Sequence, residues 1–256
     1  MTVPGLVQAL LARPDGHTIA YDAVPGAAPT IVFLHGLKSD RGGTKADALV
    51  AHCAAKGYGF VRFDMFGHGQ SSGAFEDGTI TRWVDDALAV IDRLTQGPLV
   101  LIGSSMGGWV GLKAAMARSE RLAGFIGIAA APDFTEDLMW AELSDAQKDA
   151  LMREGFIELP SEYDPEPYRI NRALIEDGRK NLVLRDAIPI HCPVRLLHGQ
   201  QDTSVPWQIA LSLAETLEAP DVQTILVKDG DHRLSRPQDL KRLTDVVDDL
   251  IAQVRG

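Results

Sequence analysis

Gly103-Ser104-Ser105-Met106-Gly107 sets a serine between two glycines, each two residues away, with Gly108 following at once. A serine hydroxyl becomes a nucleophile when a base takes its proton. To reach a substrate it must stand clear of the backbone on a sharp turn, which leaves little room for neighbouring side chains. Glycines at 103 and 107 meet that need. Residues 99–102, Leu-Val-Leu-Ile, are too few for a helix and follow the turn Gln96-Gly97-Pro98, so they predict a buried strand. Beyond the glycines, Trp109, Val110, Leu112, Ala114, Ala115 and Met116 suit a packed helix. Ser105 then lies at a helix N-terminus, where the dipole favours developing negative charge. The plain alternative is a tight strand-to-helix turn with no chemistry.

An acyl-transfer serine needs a histidine as base and a carboxylate to orient it. After an elbow of this kind both are expected later in the chain, acid before base, each just past a strand end. The apolar run 194–197 leads into His198-Gly199-Gln200-Gln201-Asp202, and the run 222–227 into Lys228-Asp229-Gly230-Asp231-His232. Asp202 and His232 are therefore the candidate acid and base, with Asp133, also past a strand end, as the rival acid. The oxyanion of a tetrahedral intermediate needs two backbone N–H donors. Met106 supplies one, and Leu37 in His35-Gly36-Leu37 the other, with Lys38 its neighbouring alternative. His35, His68 and His198 sit beside glycines and read as loop braces. His17, His52 and His191 carry no functional signal. No two histidines have the helical spacing with a carboxylate that marks a metal site, and the expected chemistry requires neither metal nor cofactor.

The elements that must position these residues can be read in order. A hairpin near the N-terminus, about 7–11 and 18–21, turns at Arg13-Pro14-Asp15-Gly16, and 24–29 reads as a loop. Strand and helix patterns then alternate from 30 to 130: strands at 30–34, 59–63, 99–102 and 125–130, helices at 44–56, 81–94 and after the elbow. Such alternation predicts an α/β fold, a mostly parallel sheet of about eight strands with helices on both faces. It breaks at 134–189, where helix-like pieces at 144–154 and 171–184 surround an irregular stretch at 159–168. This segment is too short and too poor in apolar residues for its own core and reads as an inserted cap. Alternation resumes with a strand at 194–197, a helix at 207–217, a strand at 222–227 and a last helix from about 237 to 254. The core domain is therefore 1–133 with 190–256.

Composition sets outer bounds. The 256 residues are 45% hydrophobic with a formal net charge of −10 and no long basic run, which argues against nucleic acid and anionic membrane as partners. The N-terminus shows no basic region and only a short apolar run, so neither a signal peptide nor a membrane span is expected. Cys53 and Cys192 have no metal-type spacing and read as reduced, buried thiols of a cytoplasmic protein.

Together Phe33-Leu34-His35-Gly36-Leu37, residues 63–73 (F-D-M-F-G-H-G-Q-S-S-G), the G-S-S-M-G-G-W elbow, L-L-H-G-Q-Q-D-T-S-V-P and D-G-D-H-R resemble the α/β-hydrolase superfamily over almost the whole chain. More narrowly, F-L-H-G-L-K-S-D-R-G-G-T-K-A, the elbow, and C-P-V-R-L-L-H-G-Q-Q-D-T-S-V-P-W with its trailing D-H-R are similar to the branch holding mitochondrial palmitoyl-protein thioesterases, also described as acyl-glucuronide esterases. The resemblance implies nucleophile Ser105, acid Asp202, base His232 and oxyanion donors Leu37 and Met106. It departs at the N-terminus, where no targeting segment precedes the domain, so a bacterial-style cytoplasmic relative is implied.

The expected activity is hydrolysis of a small-molecule carboxylic ester or thioester through an acyl-enzyme. Carbon–carbon bond hydrolases and acyltransferases use the same constellation, a dehalogenase would need Asp at 105, and a non-catalytic receptor would not need all three members. For an apolar acyl pocket the sequence offers Trp109, Met139, Trp140, Val205 and Trp207, with Phe134, Leu138, Phe156 and Ile157. The competing reading packs them between cap and sheet. Lys38 and Arg41 follow the oxyanion loop and are candidates to meet an anionic leaving group, against a reading as solvated surface charge. Oligomeric state leaves no trace in the sequence.

Overall fold

The computed structural model describes residues 3–159 and 167–256. One sheet carries eight strands: β1 (Val7–Ala12), β2 (Thr18–Val24), β3 (Ala27–Leu34), β4 (Tyr58–Phe63), β5 (Leu99–Ser104), β6 (Leu122–Ile128), β9 (Val194–Gly199) and β10 (Val222–Val227), with β7 and β8 in a separate pair described below. Their order across the sheet is β1-β2-β4-β3-β5-β6-β9-β10. β1 and β2 run antiparallel as the expected hairpin, β2 meets β4 antiparallel, and from β4 to β10 every neighbour is parallel. The expected loop at 24–29 is shorter in the structure. β2 continues to Val24 and β3 begins at Ala27, paired with Tyr58 through a shifted register.

Strand alternation splits the core between the two faces. Along β5, Leu99 and Leu101 face one core, Val100 and Ile102 the other. The second core is closed by α1 (Thr44–Lys56) and α7 (Pro237–Arg255), through residues such as Leu49, Cys53, Leu243 and Leu250. The first is closed by α2 (Ile80–Leu94), α3 (Met106–Ala117) and α6 (Gln208–Thr216). α2 starts where the sequence asks it to, with the Thr79 hydroxyl accepting the Arg82 N–H at 3.2 Å.

Between β6 and β9 the chain leaves the sheet. A π-helical turn (Thr135–Trp140) precedes α4 (Asp145–Glu154), a two-stranded hairpin of β7 (Phe156–Leu159) and β8 (Tyr168–Asn171), and α5 (Arg172–Lys180). Ser144 caps α4 in a capping box with Gln147, as its position suggests. The hairpin was not expected. Its strands have four residues each, below the length at which alternation is legible, and they are held by Ile157 opposite Ile170, both buried. The stretch expected to be irregular lies for the most part, 160–166, outside the described residues. α5 ends at Lys180 instead of 184, because the Val183 and Leu184 N–H groups turn away to the Asp133 carboxylate at 2.8 and 2.9 Å.

Candidate active site

Ser105 joins β5 to α3 with φ 54° and ψ −121°, a left-handed conformation that a non-glycine residue holds only where its surroundings fix it. Three backbone bonds do so: the Ser105 N–H donates to Ile128 O at 2.9 Å, and its carbonyl accepts from Gly108 N–H at 2.8 Å and Ala131 N–H at 3.1 Å. The flanking glycines are demanded by packing. A Cβ on Gly107 would lie 2.2 Å from Leu34 O, and one on Gly103 would lie 2.3 Å from Gly107 O. α3 therefore abuts the end of β3 with no side chain between.

The loops after β9 and β10 are stitched together. Gln200 N–H donates to Val227 O and Gln201 N–H to Gly230 O, both at 2.8 Å, and Gly199 lies so close that a Cβ would stand 2.3 Å from Gly230 O. This brings Asp202 behind His232: His232 Nδ1 lies 2.7 Å from Asp202 Oδ2. The Asp202 side chain is fully buried, that of His232 17% exposed. Burial alone would raise the Asp202 pKa, but hydrogen bonds from His198, His232 and Val205 N–H outweigh it and hold the carboxyl well below the usual range. It stays ionised. Because a carboxylate only accepts, Nδ1 of His232 carries the proton and Nε2 is the basic nitrogen. Asp231 is turned aside, its carboxylate accepting the Leu234 N–H.

The rival acid belongs elsewhere. Asp133 is buried and receives Val183 N–H, Leu184 N–H and Arg185, which fastens the inserted segment to the end of β6. In the loop after β3, His68 Nε2 accepts the Lys38 N–H at 3.2 Å, so Leu37 is the loop's remaining candidate donor. His35 and His68 brace this loop. His35 Nε2 accepts the Met65 N–H, and their second nitrogens donate to Gly36 O and Phe66 O. Burial pushes His35 down to about 4 and His68 to about 3, so both are neutral, as acceptors must be.

Ser105, Met106, Leu37 and His232 all line one cavity of about 1030 Å³, at the large end for a small-molecule site. Its apolar lining is Leu37, Phe75, Phe134, Leu138, Met139, Leu143, Leu159 and Val205. Its charged and polar lining includes Lys38, Ser39, Asp40, Lys45, Glu142, Arg233 and Ser235. Of the residues proposed for the pocket, Met139 and Val205 are on its wall; Trp109, Trp140 and Trp207 are not, and neither are Phe156 and Ile157. Trp109 is fully buried, edge-on to Phe134 at 5.6 Å, and its Nε1–H donates to Asn181 O at 3.0 Å, so it pins the inserted segment to α3. Trp140 is flanked by the cations of Lys148 and Arg179. Trp207 stands at the start of α6, off the wall. Arg41 is likewise no substrate contact: it pairs with the buried Asp22 and Asp64, tying the loop after β3 to β2 and β4. Lys38 does reach the cavity, over the Phe75 ring. Lys45 and Phe75 gave no sequence signal. Lys45 lies one residue inside α1, half-buried, and burial pushes it down to about 8.

Residues 26–156 match the family described as serine aminopeptidase, S33. The mouse palmitoyl-protein thioesterase ABHD10, mitochondrial, is 40% identical over 242 residues, 94% of this chain and 81% of that protein; the human protein of the same name is 38% identical, with 79% of its length covered. Among solved structures, a putative hydrolase from Agrobacterium vitis S4 superposes with a TM-score of 0.92 at 43% identity, covering 96% of this chain and 99% of that one. Mouse alpha/beta hydrolase domain-containing protein 10 gives 0.90 at 38% identity, with 97% and 99% covered. The chain belongs to the α/β-hydrolase superfamily, within the serine hydrolase family described as serine aminopeptidase, S33.

Proposed function

We propose that this chain is a serine esterase or thioesterase working through an acyl-enzyme, with Ser105 as nucleophile, His232 as base, Asp202 as its orienting acid, and Leu37 and Met106 as oxyanion donors. One observation carries the reading: His232 Nδ1 is held 2.7 Å from an ionised, buried Asp202 while His232 and Ser105 border the same cavity. Ser105 Oγ attacks the acyl carbonyl as its proton passes to His232 Nε2. Asp202 stabilises the resulting imidazolium without taking the proton. His232 then protonates the leaving alkoxide or thiolate, and water repeats the sequence on the acyl-enzyme. Relatives named palmitoyl-protein thioesterases support a long acyl thioester as the substrate class, and the apolar lining of a cavity of about 1030 Å³, Leu37, Met139 and Leu159 among it, supports an extended acyl chain. The core at 1–133 with 190–256 carries the chemistry, and 134–189 acts as a cap that supplies one wall.

The test is steady-state hydrolysis of paired p-nitrophenyl esters and acyl-CoA thioesters over several chain lengths, with Ser105→Ala alongside. The expected result is activity that rises with chain length and falls roughly ten-thousandfold or more in the variant. Equal rates for wild type and variant on every substrate would remove the reading. Among the described residues no helix is long and apolar enough to cross a membrane. A cytoplasmic location is part of the proposal, and cell fractionation checks it against the mitochondrial location in the relatives' names.

A further inference from the structure

Asp202 serves two histidines. Its Oδ2 accepts from His232 Nδ1 at 2.7 Å and lies 3.1 Å from Nε2 of His198, whose side chain is completely buried. His198 Nε2 is also 2.9 Å from Val205 O. Both neighbours of that nitrogen are acceptors, so it carries a proton and donates to both. Nδ1 of His198 is buried with no hydrogen-bond partner. A proton on that nitrogen would be a bare donor shut away from water, which places the ring proton on Nε2. Oδ1 of Asp202 is saturated separately, by the N–H groups of Ser204 and Val205 at 2.9 and 2.8 Å. A bracing role for His198 needs only the Val205 carbonyl, the next turn of the loop. The bond to Asp202 Oδ2 does something further, because it competes for the oxygen that faces the base.

We propose that His198 is a positioning residue of the relay: by donating to Asp202 Oδ2 it limits the negative charge offered to His232 and so sets the pH below which the base is lost. The inference rests on the proposed Ser105–His232–Asp202 reading. A carboxylate shared with a second donor stabilises the His232 imidazolium less, so His232 remains a free base to lower pH. Lys45 of α1, which donates to Arg233 O, and Asp231 and Arg233 in the His232 loop are charged groups on the His232 side; Asp231 is turned to the Leu234 N–H. His198 shares the oxygen that holds His232, and through it can tune the pair.

The test is the pH profile of kcat/KM for His198→Phe and His198→Gln against wild type. Phe keeps the ring volume without a donor; Gln keeps a side-chain N–H. The expected result is an acid limb about half a pH unit higher in His198→Phe, with His198→Gln returning it toward wild type. A limb at the wild-type position in an active His198→Phe variant would overturn the proposal and leave only bracing. Should His198→Phe fail to fold, His198→Leu takes its place with the same expectation for the acid limb, and nitrogen-15 chemical shifts of the wild-type histidines add a check: a His198 ring protonated on Nδ1 instead of Nε2 overturns the inference. Failure of the parent reading looks different, since activity would then survive Ser105→Ala.

Discussion

The sharp turn at Ser105 forms only because the glycines two residues either side carry no side chains. Gly107 lets α3 touch the carbonyl of Leu34, and Gly107→Ala places a methyl 2.2 Å from that oxygen, an overlap that backbone on both sides cannot relieve. The variant should lose about 3 kcal/mol or more of stability, or fail to accumulate folded, in a urea titration. Asp133→Ala separates the two aspartates. It strands the Val183 and Leu184 N–H groups, so about 1–3 kcal/mol of stability should go while the acid limb of the pH profile stays in place. A displaced limb would make Asp133 part of the relay. Ser105, Asp202 and His232 were legible in the sequence because each follows an apolar run and sits in a glycine-bearing loop, where residue type and position carry the same message. The tryptophans were not. A large aromatic side chain announces burial but not direction: Trp109 fastens the inserted segment to α3, and Trp140 packs between two cations within that segment.

Among the elements, the parallel sheet was readable from 30 to 130 because its strands are buried runs bounded by turn residues, α2 is amphipathic and the buried α3 is too long for a strand. The inserted segment was less readable, since its pieces are short and owe their form to docking: Asp133 on 183–184, Trp109 on Asn181, and Asp177 of α5 accepting the Thr81 N–H at the head of α2. That docking gives the cavity its outer wall. Met139, in the π-helical turn, lies on this wall, so Met139→Trp should shorten the space for an acyl chain. Activity on long-chain substrates should fall about tenfold relative to short-chain ones, read as a ratio of kcat/KM values. An unchanged ratio would put the acyl chain elsewhere in the cavity.

Across the whole molecule, buried titratable groups set how stability follows pH. His35 and His68 accept backbone N–H groups and are pushed down to about 4 and 3, so the unfolded chain binds protons below about 6.5 that the folded chain refuses. Stability should therefore fall as pH drops from 6.5 toward 4, by up to about 1.4 kcal/mol per unit for each ring. Asp86 acts with the opposite sign. It is fully buried, and its Oδ1 has no hydrogen bond, only the guanidinium groups of Arg13 and Arg82 at 3.7 and 3.8 Å. Burial outweighs these cations and raises its pKa to about 6, so between about 4 and 6 the folded chain holds the extra proton and stability falls as pH rises. Asp86→Asn retains an oxygen for the Phe66 N–H. Its stability relative to wild type should grow from near zero at pH 4 to on the order of 1–3 kcal/mol at pH 7, measured by denaturant unfolding at both. A constant difference would mean that Asp86 ionises as an ordinary carboxylate.

The central claim is that acyl transfer passes through Ser105, and covalent trapping reaches it most directly. A fluorophosphonate loses fluoride as its phosphorus bonds to an activated serine Oγ, leaving a mass increment on one peptide. Wild type should label stoichiometrically on the peptide bearing Ser105, His232→Ala should label far more slowly, and Ser105→Ala should not label at all. An adduct on another residue, or equal labelling in Ser105→Ala, would contradict the assignment.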